Sequence, residues 1–501
     1  MAKAAKKSAA KPAPKRKPKK GGASAAARTR AARKGRTAGK GRVRIRMYRQ
    51  GVGDCFLLTF PRKGGGVFNF VIDCGVHQAQ SGGAEKMRKI VDHLAEATGG
   101  VVDLLAITHE HFDHTSGFLQ AEEQWKKIEV KKLWYAWTEN PEEEMARQLG
   151  EKRHGIAEAL RGLVARQQLA GEPSLRARHI ESILGFFGDK AGAKTKQIRA
   201  AIDALCAKAE VDFKAPGDTD TFEGVDARFY VLGPPKDTDR IKKTDPTKSA
   251  PETYGLARLE ASFRLVESLT PGKTKPPFDE RFWTPLDASR SIDFFAARYW
   301  GKYMPERPSV AAPSADAAPG APVDVEDNEQ DWRRIDDDWL GVGEQLALQL
   351  DKATNNTSLV LAIELPGGKA GAGDVLLFAA DAQVGNWLSW QDVRFSAGGK
   401  ALTGPDLLAR TVFYKVGHHG SHNATLREKG LEQMSRLQVA MMPTDESMAK
   451  KVNWDEFPWP DLVGRLEEKT GQRVIRSDKP VPKALAGAVS AKDPLFYEIE
   501  F

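Results

Sequence analysis

Residues 104–114, LLAITHEHFDH, constrain this chain more than any other segment. The nearly continuous apolar run VVDLLAIT, 101–108, reads as a buried strand. It leads directly into four ligand-type side chains, His109, His111, Asp113 and His114, within six residues. Imidazole nitrogen and carboxylate oxygen suit a borderline divalent ion such as Zn²⁺. In extended backbone the i, i+2 pair His109 and His111 points the same way, and the adjacent Asp113 and His114 can serve a second ion beside the first. A His-rich surface loop is the bland alternative, but four such residues straight after a buried strand argue against it. One loop cannot close two coordination shells, so ligands must come from elsewhere. Asp381 ends the strand LLFAAD, where a carboxylate could bridge two metals, and His418 and His419 end VFYKVGHHG, where a Gly on either side permits close backbone approach.

Order is expected from Val43 onward. VRIRMYR (43–49) reads as an edge strand, DCFLLTF and VFNFVIDCG as the next two, and residues 84–97 as a helix with Met87, Ile90, Val91 and Leu94 on one face. RFYVLGPP (228–235), NNTSLVLAIEL (355–365), DVLLFAADA (374–382) and TVFYKVGHH (411–419) read as strands, with a helix at 338–352. DLVGRLEEKTG, QRVIRS and LFYEIEF follow as helix, strand and strand. Strands mixed with helices in this order indicate a layered α/β protein. Two insertions interrupt it: a charged helical one at 120–215 and another at 236–335, whose Pro/Ala/acid-rich part, 305–330, reads as a linker. Both are expected to roof the site, and Trp283 and Trp300 offer rings for base stacking.

Charge divides the chain. Residues 1–42 hold 16 of the 76 Lys and Arg and no Asp or Glu, which leaves 60 basic against 67 acidic residues in the remainder. Having almost no large apolar residue, the tail cannot bury enough surface to fold and is expected to be disordered. It suits a salt-sensitive arm on nucleic-acid phosphates, with a solubilising spacer or a targeting peptide as alternatives. No apolar run approaches the roughly 18 residues that span a bilayer, so no membrane partner is expected. Cys55, Cys74 and Cys206 form neither a disulfide framework nor a CxxC pair, which suits a cytoplasmic location.

HEHFDH, followed far downstream by a strand-terminal Asp and a strand-terminal His, resembles the metallo-β-lactamase superfamily. More narrowly, the chain is similar to the hydrolase domain of the ComEC-type DNA-uptake protein and its stand-alone relatives. GVGDCFLL (51–58), VIDCG (71–75), NNTSLVL (355–361), KVGHHGSHNAT (415–425) and FPWPDLVGRLEEKTGQRVIRSDK follow that subgroup's order, so the resemblance runs from Val43 to Phe501. It implies a four-layer αββα sandwich, interrupted by the two insertions and preceded by the disordered tail, with one or two divalent ions, Zn²⁺ or Mn²⁺. It further implies His109 and His111 as ligands of a first metal, Asp113, His114 and His418 as ligands of a second, and Asp381 as the bridge. His418 is preferred to His419 because the superfamily's last ligand commonly follows a Gly directly. His419, Ser421, His422 and Thr425 then become contacts to the ligands or the substrate.

Three positions depart from the family. The histidine that usually completes the first metal is missing: the matching strand end, FYVLGPP, carries Pro234, and the only intervening histidines, His154 and His179, fall in the helical insertion. Ala380 stands where the family usually has Gly, and Ala424 where it more often has a hydroxyl residue. Metal coordination can lower the pKa of water to about 7, so Asp113, His114, Asp381 and His418 are the expected catalytic residues and no Ser or Cys nucleophile is needed. The expected activity is a metal-dependent hydrolase, a phosphodiesterase or nuclease. The alternatives are a hydrolase of small esters, lactams, thioesters or cyclic nucleotides, and a degenerate metal-binding protein. His77 reads as an exposed loop histidine and His93 as a residue on the polar side of its helix.

Overall fold

The computed structural model describes residues 41–169, 175–187, 194–243, 340–367, 373–397, 400–452, 454 and 457–501. Residues 1–40 of the basic tail, the linker at 305–330, Trp283 and Trp300 lie outside them.

Two sheets follow from period-two alternation. The chain first lays down Arg44–Tyr48 (β1), Phe56–Pro61 (β2), Val67–Ile72 (β3), Leu104–Ile107 (β4), Lys132–Ala136 (β5) and Glu210–Lys214 (β6). It then builds a second sheet from Thr219–Thr221 (β7), Arg228–Gly233 (β8), Val360–Glu364 (β9), Val375–Phe378 (β10), Thr411–Lys415 (β11), Val439–Met442 (β12) and Val474–Arg476 (β13). Val489–Ser490 (β14) and Phe496–Glu500 (β15) return to the first sheet, whose order is β14-β15-β1-β2-β3-β4-β5-β6; the second runs β13-β12-β11-β10-β9-β8-β7. Each sheet pairs antiparallel up to β3 or β10 and parallel beyond it. β1 is therefore interior rather than an edge. Its far side pairs with β15, more than 400 residues later, and Arg46 forms an ion pair with Glu498 across that seam.

Phe56, Leu58, Phe70, Ile72 and Ala106 of the first sheet meet Phe229, Leu361, Ile363, Leu376 and Phe413 of the second in one core. The intervening residues Leu57, Val71 and Leu105 turn the other way, onto Met87, Ile90, Val91 and Leu94 of helix Gly83–Thr98 (α1) and Phe118 of Phe112–Gln120 (α2). Tyr230, Ala362, Leu377 and Tyr414 likewise pack on Trp387, Leu407 and Leu466 outside the second sheet. Each Val, Leu, Ile, Phe or Met side chain among them contributes about 1.5–3 kcal/mol on burial.

The stretch 120–215 is not one helical insertion, because β5 and β6 at its two ends belong to the first sheet. Between them lie Glu144–Leu169 (α3), Leu175–Leu184 (α4) and Lys194–Leu205 (α5). α3 and α4 share a separate core with the later helix Leu340–Asn355 (α6), through Leu160, Leu163, Ile180, Leu346 and Leu350. Arg153 of α3 ties this layer to the HEHFDH loop through a nearly buried ion pair with Glu110 at 2.9 Å, and to the turn after β5 through Glu139 at 3.0 Å. Most of 236–335 lies outside the described residues. Among those described, no helix is long and apolar enough to cross a membrane.

Candidate metal centre

The pairing rules bring the expected residues to one edge. β3 and β4 are adjacent and parallel, as are β10 and β11, and their carboxyl ends carry Asp73, the HEHFDH loop, Asp381 and His418-His419. Asp54 and Ser358 enter from the starts of β2 and β9, which run antiparallel to β3 and β10 and so begin at the same edge. The loop is fixed by its main chain. The Asp54 N–H donates to Asp113 O (3.0 Å) and the Cys74 N–H to His114 O (2.9 Å). A Cβ on Gly75 would lie 2.4 Å from the Asp113 carbonyl, and one on Gly53, at φ 135°, 2.6 Å from it, so glycine is required for the two turns to approach.

Ligand-type atoms of Asp113, His114, Asp381 and His419 all lie within 4.8 Å of one another, and all four residues are buried. His114 Nε2 is 3.0 Å from Asp381 Oδ2, while its Nδ1 is 2.8 Å from Asp73 Oδ2. His419 Nε2 is 3.0 Å from Asp113 Oδ2 and 3.5 Å from Asp381 Oδ2, and its Nδ1 donates to the Pro443 carbonyl at 2.8 Å. In both rings an acceptor on Nδ1 turns Nε2 into the cluster, an arrangement that orients metal-ligating imidazoles. His418, expected as the ligand, stands outside this group, with Nε2 4.0 Å from Asp381 Oδ2. Its Nδ1 faces the Gln383 amide at 3.4 Å rather than a carbonyl that would turn the ring inward.

His109 and His111 stand alongside, with ring centroids 4.8 Å apart and His109 4.2 Å from His114. His109 Nδ1 faces Thr108 Oγ1 at 3.1 Å and Ser358 Oγ at 3.4 Å. His109 Nε2 and both nitrogens of His111 are buried without a hydrogen-bond partner, as are Asp113 Oδ1 and Asp54 Oδ1. Orphaned buried atoms of this kind are costly, and divalent cations bound here would give His109, His111 and Asp113 each a partner. The donor set therefore fits a metal.

Charge supports the same conclusion. Asp54, Asp73, Asp113 and Asp381 are all buried around a single buried lysine, Lys415, which lies 2.5 Å from Asp54 Oδ2 and 3.3 Å from Asp381 Oδ1. Burial works against the charge on His114, but Asp381 and Asp113 hold its pKa well above the usual value. His419 is pushed up to about 9, against burial, by Asp381 and its bond to Asp113. His111 and His418 fall to about 4 through burial, and His109 well below its ordinary value for the same reason. Burial opposes ionisation of Asp113 and Asp381, yet the neighbouring His114 and His419 keep both carboxyls below the ordinary carboxylate range.

Backbone strain gathers at the same edge. Of five non-glycine residues with positive φ among those described, Asp73 (53°), Ala380 (48°), His418 (42°) and His419 (53°) stand here. Ala380 thus occupies a left-handed position that glycine fills freely, at a cost of about 1 kcal/mol. The remaining candidates are placed differently. Ser421 donates to Asn423 at 3.1 Å, Thr425 shares a hydrogen bond with the Tyr414 hydroxyl, and His422 lies exposed beside Trp459. His77 is buried, not exposed, with its ring against Phe186 and Trp454. His93 meets the Tyr48 hydroxyl at 3.0 Å. Over the site, Phe187 stands perpendicular to His111 at 4.8 Å and Phe186 stacks on Trp454.

Asp54, Asp73, Lys415 and Asp351 were not singled out from sequence. Each is a charged residue inside or at the end of an apolar pattern, which is the signal that would have found them. Asp351 is clearest: on α6 it shares the buried stripe of Gly343, Leu346, Ala347, Leu350 and Thr354. Among curated proteins, none matches this chain. A family model does: residues 48–189, which hold the HEHFDH loop and its supporting strands, match the metallo-beta-lactamase superfamily.

Proposed function

We propose that the chain is a metal-dependent hydrolase of the metallo-β-lactamase type, with the two sheets and their helices as its αββα sandwich, and that it cleaves phosphodiesters in nucleic acid. The observation that carries this is the buried group Asp113, His114, Asp381 and His419, flanked by the unpartnered Nε2 of His109 and the unpartnered ring of His111. His109 and His111 would hold a first Zn²⁺ or Mn²⁺, Asp113, His114 and His419 a second, with Asp381 between them. Bound metal supplies a water nucleophile at neutral pH and neutralises charge on the scissile group. The chain's own residues prepare that chemistry. Asp73 and the Pro443 carbonyl fix the two imidazoles, Lys415 holds Asp381, and Phe186, Phe187 and Trp454 exclude bulk water. The three unpaired cysteines support a cytoplasmic location.

Nucleic acid as substrate is supported by the ComEC-type resemblance and by the basic tail, which can hold a polyanion near an otherwise acidic body. The aromatic wall over His111 favours a single strand, whose bases can stack, over a duplex. The test is cleavage of labelled single- and double-stranded DNA and RNA by the full chain with Mn²⁺ or Zn²⁺, across a salt series, beside a chain that begins at residue 43. Single strands should be cut preferentially, and the shortened chain should lose salt-dependent affinity while keeping turnover at saturation. Turnover of small esters or cyclic nucleotides with no cleavage of any polymer would overturn the substrate assignment.

A further inference from the structure

The first metal position lacks the histidine that usually completes it. The strand end where it would stand, β8, carries Pro234, whose carbonyl accepts from Trp137 Nε1 at 2.9 Å and is committed to packing. Helix α6 places a carboxylate beside the orphaned imidazole of His111. Asp351 is buried, and its Oδ1 has no hydrogen-bond partner. That oxygen lies 3.8 Å from His111 Nε2, a nitrogen that also has none. Asn355, one turn later, donates to the other oxygen, Oδ2, at 3.3 Å and fixes the carboxyl. The helix itself is held by Leu346 and Leu350 in the core shared with α3 and α4.

An acid on the buried stripe of a helix is costly unless paired or ligating. Here its free oxygen has the imidazole of His111 at 3.8 Å. A carboxylate with two imidazoles is a sufficient protein ligand set for a divalent ion that keeps an open position.

We propose that Asp351 is the third protein ligand of the first metal, beside His109 and His111, so that the helical layer supplies part of the metal centre and does more than roof it. This rests on the metal-centre reading above. The test loads full-length wild type, Asp351→Asn and Asp351→Ala with Zn²⁺ or Mn²⁺, desalts them, and measures metal per chain by mass spectrometry and affinity by competition with a chelator.

Wild type should hold two equivalents and each variant one, with affinity for the lost equivalent weakened at least about 100-fold. Melting of the metal-free proteins provides a second readout. Asp351→Asn is an isosteric change that leaves the buried helix face intact, so it should be about as stable as wild type without metal, yet gain less when metal is added. Variants that keep both equivalents at unchanged affinity would overturn the assignment of Asp351 alone. A wild type that binds no metal would overturn the metal-centre reading and this assignment together.

Discussion

Asp113→Ala should cut hydrolysis on the order of 10³-fold, about 4 kcal/mol of transition-state stabilisation, while the fold stays intact. The fold survives because the loop is held by its main chain. The carbonyls of Asp113 and His114 accept from the N–H groups of Asp54 and Cys74, and alanine keeps both bonds. The carboxylate itself is one of several crowded anions. Without it His419 still has Asp381 at 3.5 Å and Asp54 at 3.7 Å, so no buried imidazolium is stranded. Function is lost because Asp113 Oδ1 is an open ligand atom and Oδ2 faces the nitrogen of the next ligand. Circular dichroism and melting of the metal-free variant should match wild type within a few degrees while turnover disappears. Retained turnover would remove Asp113 from the centre.

The second large effect is on stability against pH, measured by urea denaturation with chelator present. The metal-free protein should be most stable near pH 6.5. On the acid side, His77, His111 and His418, lowered to about 4, and His109, also well below its ordinary value, are neutral when folded. The unfolded chain takes up their protons between 6.5 and 4, so stability falls as pH drops through that window. On the alkaline side the sign reverses. His419 at about 9 and His114, also raised, are charged when folded, and Asp351, pushed up to about 8 by burial and by Asp113 and Asp381, is protonated. Their contribution is present at lower pH and lost as pH rises through those values. Asp351 slightly offsets the acid branch, one proton against four. His419, held at about 9 against an ordinary 6.5, accounts for roughly 3 kcal/mol of the alkaline fall. Added metal should move the optimum upward, because ligation needs these imidazoles deprotonated. Stability that stays level or climbs from pH 6.5 to 9 in chelator would contradict the charged cluster.

What was legible in the sequence was what local pattern encodes. The apolar run 101–108 marked a buried strand, which the structure confines to Leu104–Ile107 with Val101–Val102 set off in a small separate sheet, and the four ligand-type residues after it had nowhere to go but its end. Met87, Ile90, Val91 and Leu94 fixed a helix face that the structure buries. Long-range pairing left no such trace. Nothing in VRIRMYR announces the strand Phe496–Glu500 that makes β1 interior, and the meeting of Lys415 with Asp54 joins two sheets. Which of His418 and His419 faces the cluster depends on two consecutive left-handed residues and on the carbonyl of Pro443, just beyond β12 and invisible from the Gly-His-His-Gly run. Asp351 was hidden for another reason: nothing local sets a carboxylate in the helix 338–352 apart, and only its position on the buried stripe marks it out.

The most direct test of the metal centre is a crystal structure of the full chain loaded with Mn²⁺ or Zn²⁺, with anomalous data collected on both sides of the metal's absorption edge. The predicted map has two peaks inside the fold, each within about 2.0–2.3 Å of its ligand nitrogen and oxygen atoms. One should lie at His109 and His111, the other at Asp113, His114 and His419, with Asp381 reaching both. An empty cluster, with peaks only on the protein surface, would contradict the account.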